Sequence, residues 1–292
     1  MVKVLNIGDW ETINNQMDAN AGQRAEALGY IKVQAGRKDK KKLDALQLYE
    51  QYKPDVILHE FVRCTDELMV TNLDKVPCPT VLLLEDEHST QKGLVEPFTD
   101  VILMYQELIP KWKFNYPNKH FHYMPHHVNQ KIYKDLKIEK EYDVLFYGNL
   151  NPKFYPERKQ LLNLLRQGSI KLKELPYSKD AITGHELAKE INKARFAVVT
   201  PSILGYTVAK YFEIPMCGTI PIGEHTPTSE ALFKDSLLTD KKFKLIGMIE
   251  FLRNNKSIYD AHVKILKEAV KDFTLEKYKE KMDKLMRDIN DR

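Results

Sequence analysis

No run of apolar residues in this chain reaches the roughly 18 positions that a membrane-spanning helix needs. The amino terminus, MVKVLNIGDW, enters a short strand-like stretch and lacks a signal peptide's apolar region. The expectation is a cytoplasmic protein with no transmembrane segment. Cysteine is scarce. Cys64, Cys78 and Cys217 lie far apart and form no CxxC pair, so neither a disulfide framework nor a cysteine zinc site is indicated. All three read as reduced, structural residues. A large charge of one sign is missing as well: 45 Lys and Arg stand against 41 Asp and Glu, for a net +4. That balance permits attraction to phosphate-bearing ligands, whereas a DNA-binding surface usually wants more. The basic run RKDKKK, Arg37 to Lys42, reads as a solvated loop or helix start. There is no internal repeat, no low-complexity segment, no P-loop and no GxGxxG fingerprint.

What is present is an alternation. The 292 residues, 43% hydrophobic and 29% charged, have the composition of a soluble globular protein and a length suited to two ordinary domains. Short apolar runs rich in β-branched residues and leucine alternate with longer amphipathic ones, the pattern of βα units around a parallel sheet. VKVLNIG, YIKVQAG, DVILHEF, TVLLLED, DVILMY and HFHYMP are the strand candidates of the first half. The stretch NQMDANAGQRAEALG reads as a helix ending on a glycine suited to its C-cap. The lysine-rich NQKIYKDLKIEKEY has little periodicity and reads as a linker. The same grammar then restarts, with strands in YDVLFYGN, SIKLKEL, RFAVVTPS and GTIPIG and helices in ERKQLLNLLRQG, GHELAKEINKA and GYTVAKYFEI. The expected organisation is α/β: two doubly wound, Rossmann-like domains over 1–136 and 137–274. A charged amphipathic helix, 275–292, would pack back on the first domain.

In open α/β sheets ligands sit at the carboxyl ends of strands, so polar residues just past each strand are the candidates. In YGNLNPKFYPERK a strand ends at Gly148, and a loop through Asn149 leads to a helix with Lys153 and Arg158 near its start, an arrangement suited to a phosphate. An ordinary βα loop with solvent-facing cations is the more frequent meaning of such a stretch. Lys210 and Glu213 stand three residues apart, on one helix face. There a carboxylate suits a ribose diol and an ammonium a diphosphate, or the two form a plain surface pair. In LLLEDEHS, Glu85 to His88 follow a strongly apolar strand, where a general base or an acidic surface turn would sit. Glu85 and Glu87 would need a third ligand to hold a metal, and none is identifiable, so no metal is expected. His59 and Glu60 in HEF are a similar, weaker candidate. His126 and His127, as neighbours in an extended segment, would point opposite ways and not share a metal.

These segments resemble a known family. YDVLFYGNLNP, LAKEINKARFAVVTPS and AKYFEIPMCGTIPI are similar to the nucleotide-sugar-binding domain of GT-B glycosyltransferases, of the glycosyl transferases group 1 type found in spore-maturation CgeB-like proteins. In the first half TVLLLEDEHS and HYMPHHVNQKIY extend the resemblance over most of the chain. It implies a GT-B fold, two Rossmann-like domains facing across a cleft. It places Glu213 where the family's second glutamate binds the nucleotide ribose, while Gly205 occupies the first glutamate's position. A shorter resemblance, to the phage DNA β-glucosyltransferase, places Asp86 at the catalytic base. It likens Lys210 to an arginine preceding the ribose-binding glutamate, and Arg158 to a phosphate-binding arginine.

The implied function is metal-independent transfer of a sugar from a nucleoside diphosphate to an acceptor hydroxyl, by a hexosyl- or pentosyltransferase with no cofactor beyond the donor substrate. Glu213 would hold the ribose. Lys210, Arg158, Gly148, Asn149, Tyr206 and Thr207 would surround the diphosphate, and Tyr177 would stack on the base. Asp86 would deprotonate the acceptor, with His59, Glu60, His88 and His126 on the acceptor side. The acceptor expected is a glycan or glycoconjugate in preference to modified DNA. The alternatives are a non-catalytic nucleotide-sugar-binding protein and a nucleotide-sugar epimerase of the same fold.

Overall fold

The structure, a computed structural model, describes residues 2–8, 19–35, 42–61, 70–84, 92–176, 181–233 and 242–292. The chain divides into two compact units, Met1–Pro125 together with Leu275–Arg292, and His126–Thr274.

The first unit carries strands β1 (Val4–Gly8), β2 (Ile31–Gln34), β3 (Leu43–Asp44), β4 (Val56–Phe61), β5 (Val70–Thr71), β6 (Thr80–Leu84), β7 (Asp100–Leu103) and β8 (His120–Tyr123). Its main sheet has the order β2-β1-β4-β6-β7-β8, and every neighbour is parallel. Each first-half strand expected from sequence is there. They were legible because β1, β6 and β7 are buried at every position, as parallel strands covered on both faces must be, and so read as near-continuous apolar runs. The small pair β3 and β5 leaves no such run. The helix Ala19–Leu28 ends at Gly29, whose φ of +67° is the left-handed cap expected of that glycine.

The C-terminal helix Leu275–Asn290 clusters with this unit and contacts the 19–28 helix. Its buried Tyr278, Met282, Met286 and Ile289 recur at helical spacing, which builds one apolar face on an otherwise charged segment. Lys279 donates to the Leu28 carbonyl at 3.0 Å, and the Tyr30 hydroxyl donates to Asp283 at 3.0 Å.

The second unit holds β9 (Tyr142–Gly148), β10 (Leu172–Pro176), β11 (Ala194–Val199) and β12 (Ile220–Gly223) in the order β10-β9-β11-β12, again all parallel. The polar stretch read as a linker forms no helix or strand until its last residue, Tyr142, opens β9, yet Ile132 and Tyr133 bury into this unit's core. The division between units therefore falls ahead of it. Val128 bonds the Phe273 carbonyl at 2.8 Å. The helix expected over 205–214 is shorter, spanning Lys210–Met216. Ahead of it the chain turns on Ser202, which accepts from the Leu204 amide through its hydroxyl and from the Gly205 amide through its carbonyl, and Gly205 takes a φ of +74°. A hydroxyl that captures local amides competes with helix formation. Among the described residues no helix is long and apolar enough to cross a membrane.

Candidate functional site

Strand β9 ends on Tyr147 and Gly148, and the helix Lys210–Met216 follows β11, the strand paired to it. These elements and the helix Pro156–Gln167 bring five sequence candidates together: Gly148, Asn149, Arg158, Lys210 and Glu213. Lys210 donates its ammonium to the Tyr147 carbonyl and holds it 4.0 Å from the Tyr147 ring centroid. Gly148 has a φ of +107°, and a Cβ there would lie 2.5 Å from the Lys210 Nζ and 3.6 Å from an Arg158 nitrogen. Only glycine leaves that space open.

Arg158 is 3% exposed although it sits in the first turn of a helix that starts at Pro156. Its Nε donates to the Thr200 hydroxyl at 3.0 Å, and its Nη1 donates to the Asn149 carbonyl at 2.7 Å. Its guanidinium lies 3.4 Å from the Tyr155 ring centroid. Stacking and hydrogen bonds thus offset its desolvation, and among the described residues it forms no ion pair with a carboxylate. The Asn149 side chain accepts from the Asn151 amide at 2.8 Å and shapes the loop.

Glu213 is 6% exposed, and the Tyr147 hydroxyl donates to its Oε2 at 3.3 Å. Burial, reinforced by that carboxylate, holds the Tyr147 hydroxyl well above the ordinary tyrosine value. Lys210 is pulled well below the ordinary lysine value, first by enclosure of its ammonium and then by the Arg158 charge, with Glu213 acting in the opposite sense. Two cations therefore meet at one glycine, and an anion placed there would relieve both.

The other described candidates make different contacts. Tyr206 and Thr207 are buried in the 201–209 segment, and the Thr207 hydroxyl meets that of Thr226, which caps the helix Pro227–Leu232. The His126 ring packs 6.4 Å from Phe212, the neighbour of Glu213, and Phe212 in turn packs on Phe273. His59 and Glu60 belong to β4 of the first unit. His59 is buried against Phe98, and burial pushes its imidazole down to about 4. Glu60 is buried and accepts from Arg24 at 2.6 Å and from Asn6 at 2.7 Å, an ion pair inside the unit's core. Asp86, His88 and Tyr177 lie outside the described residues. Among the described residues no group of three or more His, Cys, Asp or Glu gathers as a metal site requires.

Sequence reasoning missed Tyr147, Thr200 and Tyr155. Each is an unremarkable residue beside a candidate, and only proximity to Gly148 or Arg158 could have singled it out.

No protein-family profile and no curated protein sequence matches the chain. Solved structures do share its fold. Sucrose-phosphate synthase from Thermosynechococcus elongatus aligns at a TM-score of 0.65 and 12% identity, over 98% of each chain. HepE from Anabaena, solved with UDP and glucose, aligns at 0.63 and 11%, over 99% of this chain and 100% of that one. The pneumococcal O-GlcNAc transferase GtfA, solved with UDP and GlcNAc, aligns at 0.54 and 8% over 80% of this chain, which spans 56% of GtfA. The chain thus has the two-Rossmann-domain fold of these glycosyltransferases, the GT-B architecture that its sequence resemblance implies.

Proposed function

We propose that this protein is a metal-independent glycosyltransferase that moves a sugar from a nucleoside diphosphate to an acceptor hydroxyl. The observation that carries the proposal is the convergence of Lys210 and Arg158 on Gly148, with the buried Glu213 on the same helix as Lys210. A diphosphate against Gly148 would meet two positive charges, and its charge grows as the sugar leaves, so the same groups favour the transition state over the bound donor. Those fixed cations supply what a divalent metal would otherwise provide. Glu213 would accept hydrogen bonds from the ribose, Tyr177 would stack on the base, and Asp86 would take the acceptor's proton. The acceptor fits a glycan or glycoconjugate, as the +4 charge is slight for nucleic acid. The UDP bound in HepE and in GtfA supports a nucleotide ligand here.

A second reading, a nucleotide-sugar-binding protein without catalysis, draws on Gly205. Its φ of +74° is a backbone that a glutamate adopts only under strain, so the sugar-contacting carboxylate of the resembled family has no counterpart here. Calorimetric titration of the protein with UDP, GDP, ADP, CMP and TDP sugars tests the donor site, with Glu213→Ala in parallel. Selective binding abolished by the substitution is the expected result; binding to none of them, or binding indifferent to it, would falsify the proposal. Slow release of free sugar from the bound donor separates the transferase from the binder.

A further inference from the structure

Two consecutive residues of one helix reach the strand ends on either side of β11. Lys210 donates to the Tyr147 carbonyl near the end of β9, and the Tyr211 hydroxyl donates to the carbonyl of Glu224, the first residue past β12. In the sheet order β10-β9-β11-β12 those two ends flank β11. Glu224 is tied to β11 as well, because its amide donates to the carbonyl of Val199, the last residue of that strand, at 3.2 Å. Gly223 permits this approach: its φ is +134°, and a Cβ there would lie 2.0 Å from the Val199 oxygen. Two residues on, Thr226 caps the helix Pro227–Leu232 and meets the Thr207 hydroxyl. The backbone of 223–226 is therefore tied to β11, to the helix that carries Lys210 and Glu213, and to the 201–209 segment. Between these ties Glu224 is partly exposed.

We infer that Glu224 is a specificity-determining residue that reads the hydroxyls of the donor sugar. This rests on the donor site proposed above. Neighbouring strands lie about 4.8 Å apart, so the ends of β9 and β12, on either side of β11, are about 10 Å apart. A diphosphate held by Lys210 and Arg158 against Gly148 carries its sugar on its outer phosphate, and a phosphate with a hexose ring bridges that distance. A carboxylate at the end of β12 accepts hydrogen bonds from sugar hydroxyls, and its charge makes them stronger than those to a neutral acceptor. The ties named above run through the amide and carbonyl of Glu224, so a rigid element carries the carboxylate. Gly205, on the loop after β11, has no side chain to offer a sugar, whereas Glu224, after the next strand, has one.

Glu224→Ala removes the carboxylate and leaves the amide and carbonyl in place. Calorimetry with UDP, GDP and ADP, set against UDP-glucose, UDP-galactose, GDP-mannose and ADP-glucose, gives the affinity of each sugar nucleotide relative to its bare nucleotide. For the nucleotide that binds best, that ratio should fall by about tenfold in the variant, the scale of a hydrogen bond to a charged group. Affinity for the bare nucleotide should stay within about twofold of wild type, because residues that share no ligand atom act independently, and this reading also shows that the variant is folded. Glu224→Gln, neutral and of the same shape, should lose part of the ratio, and it serves as the comparison if the alanine variant does not fold. A ratio that is the same in wild type and variant overturns the role of Glu224 and leaves the donor site standing. A wild type that binds none of the nucleotides overturns both.

Discussion

Lys210 and Glu213 share one helix and one neighbour: the ammonium goes to the carbonyl of Tyr147 and the carboxylate to its hydroxyl. The helix therefore carries two opposite charges that are held by the strand beside it. Four predictions follow from that arrangement and from the buried ion pair of the first unit.

Lys210→Met should raise the stability of the protein while it weakens ligand binding. The side chain is half-buried with its ammonium enclosed, and it sits near a second cation, so an apolar replacement of similar length relieves repulsion and desolvation together. The gain should be modest, about 1 kcal/mol, because replacing an enclosed charge is often neutral or mildly stabilising. Nucleotide affinity should fall by about tenfold or more, the loss of a charge-assisted contact. Thermal unfolding and calorimetry on the same sample give both readings. A variant less stable than wild type would indicate that the cation is structural.

Protonation should report the same conflict. Lys210 is depressed in the fold, so between that value and the ordinary 10.5 the unfolded chain binds the extra proton. The contribution of this residue to stability therefore rises with pH across that window, and is smallest below it. A bound diphosphate would push the lysine back up, so binding should take up a proton and weaken as pH rises through the same window. Calorimetry in two buffers of different ionisation enthalpy detects the proton, and its absence in Lys210→Met assigns it.

Gly148→Ala tests the space between the cations. An added methyl would lie 2.5 Å from the Lys210 Nζ, and a φ of +107° is strained for any side chain. Backbone strain of this kind costs about 1–3 kcal/mol, measurable by urea unfolding. Lys210 can swing its tip away, but it then leaves the Tyr147 carbonyl, so nucleotide binding should be lost well beyond what the stability change explains.

Glu60→Ala should destabilise the first unit strongly. Arg24 is 1% exposed and meets the Glu60 carboxylate at 2.6 Å, so the substitution takes an opposite charge away from a guanidinium in the core. Breaking such a pair from one side costs about 3–5 kcal/mol, whereas Arg24→Leu combined with Glu60→Leu should recover much of it. Unfolding midpoints of the single and double variants decide the matter. Near-wild-type stability of Glu60→Ala would return this carboxylate to the list of groups available for chemistry.

The strands were readable because burial on both faces writes itself as a near-continuous apolar run, of which β6 is the plainest example. The candidate site was readable in part. Gly148, Arg158, Lys210 and Glu213 are unusual residues at strand ends and helix faces, and that is where topology makes ligands bind. The partner of Glu60 was not readable, because Arg24 lies 36 residues away and nothing in either local pattern encodes the pairing. Tyr147 was hidden for the opposite reason. A tyrosine in an apolar strand looks like core, and only the three contacts of its carbonyl, ring and hydroxyl give it a role. The shortened helix before Lys210 shows how a serine hydroxyl and a glycine can overrule an amphipathic pattern.

The discontinuity of the first unit bears on how the protein is made. Its sheet lies in Met1–Pro125, but one of its packing helices, Leu275–Asn290, is translated only after the whole of His126–Thr274. The nascent chain must therefore hold an unfinished first unit, with the apolar surface destined for Met282, Met286 and Ile289 still uncovered, while the second unit, contiguous in sequence, is completed. Order of synthesis and order of completion are thus reversed, and the exposed interval lasts as long as the ribosome takes to read the second unit.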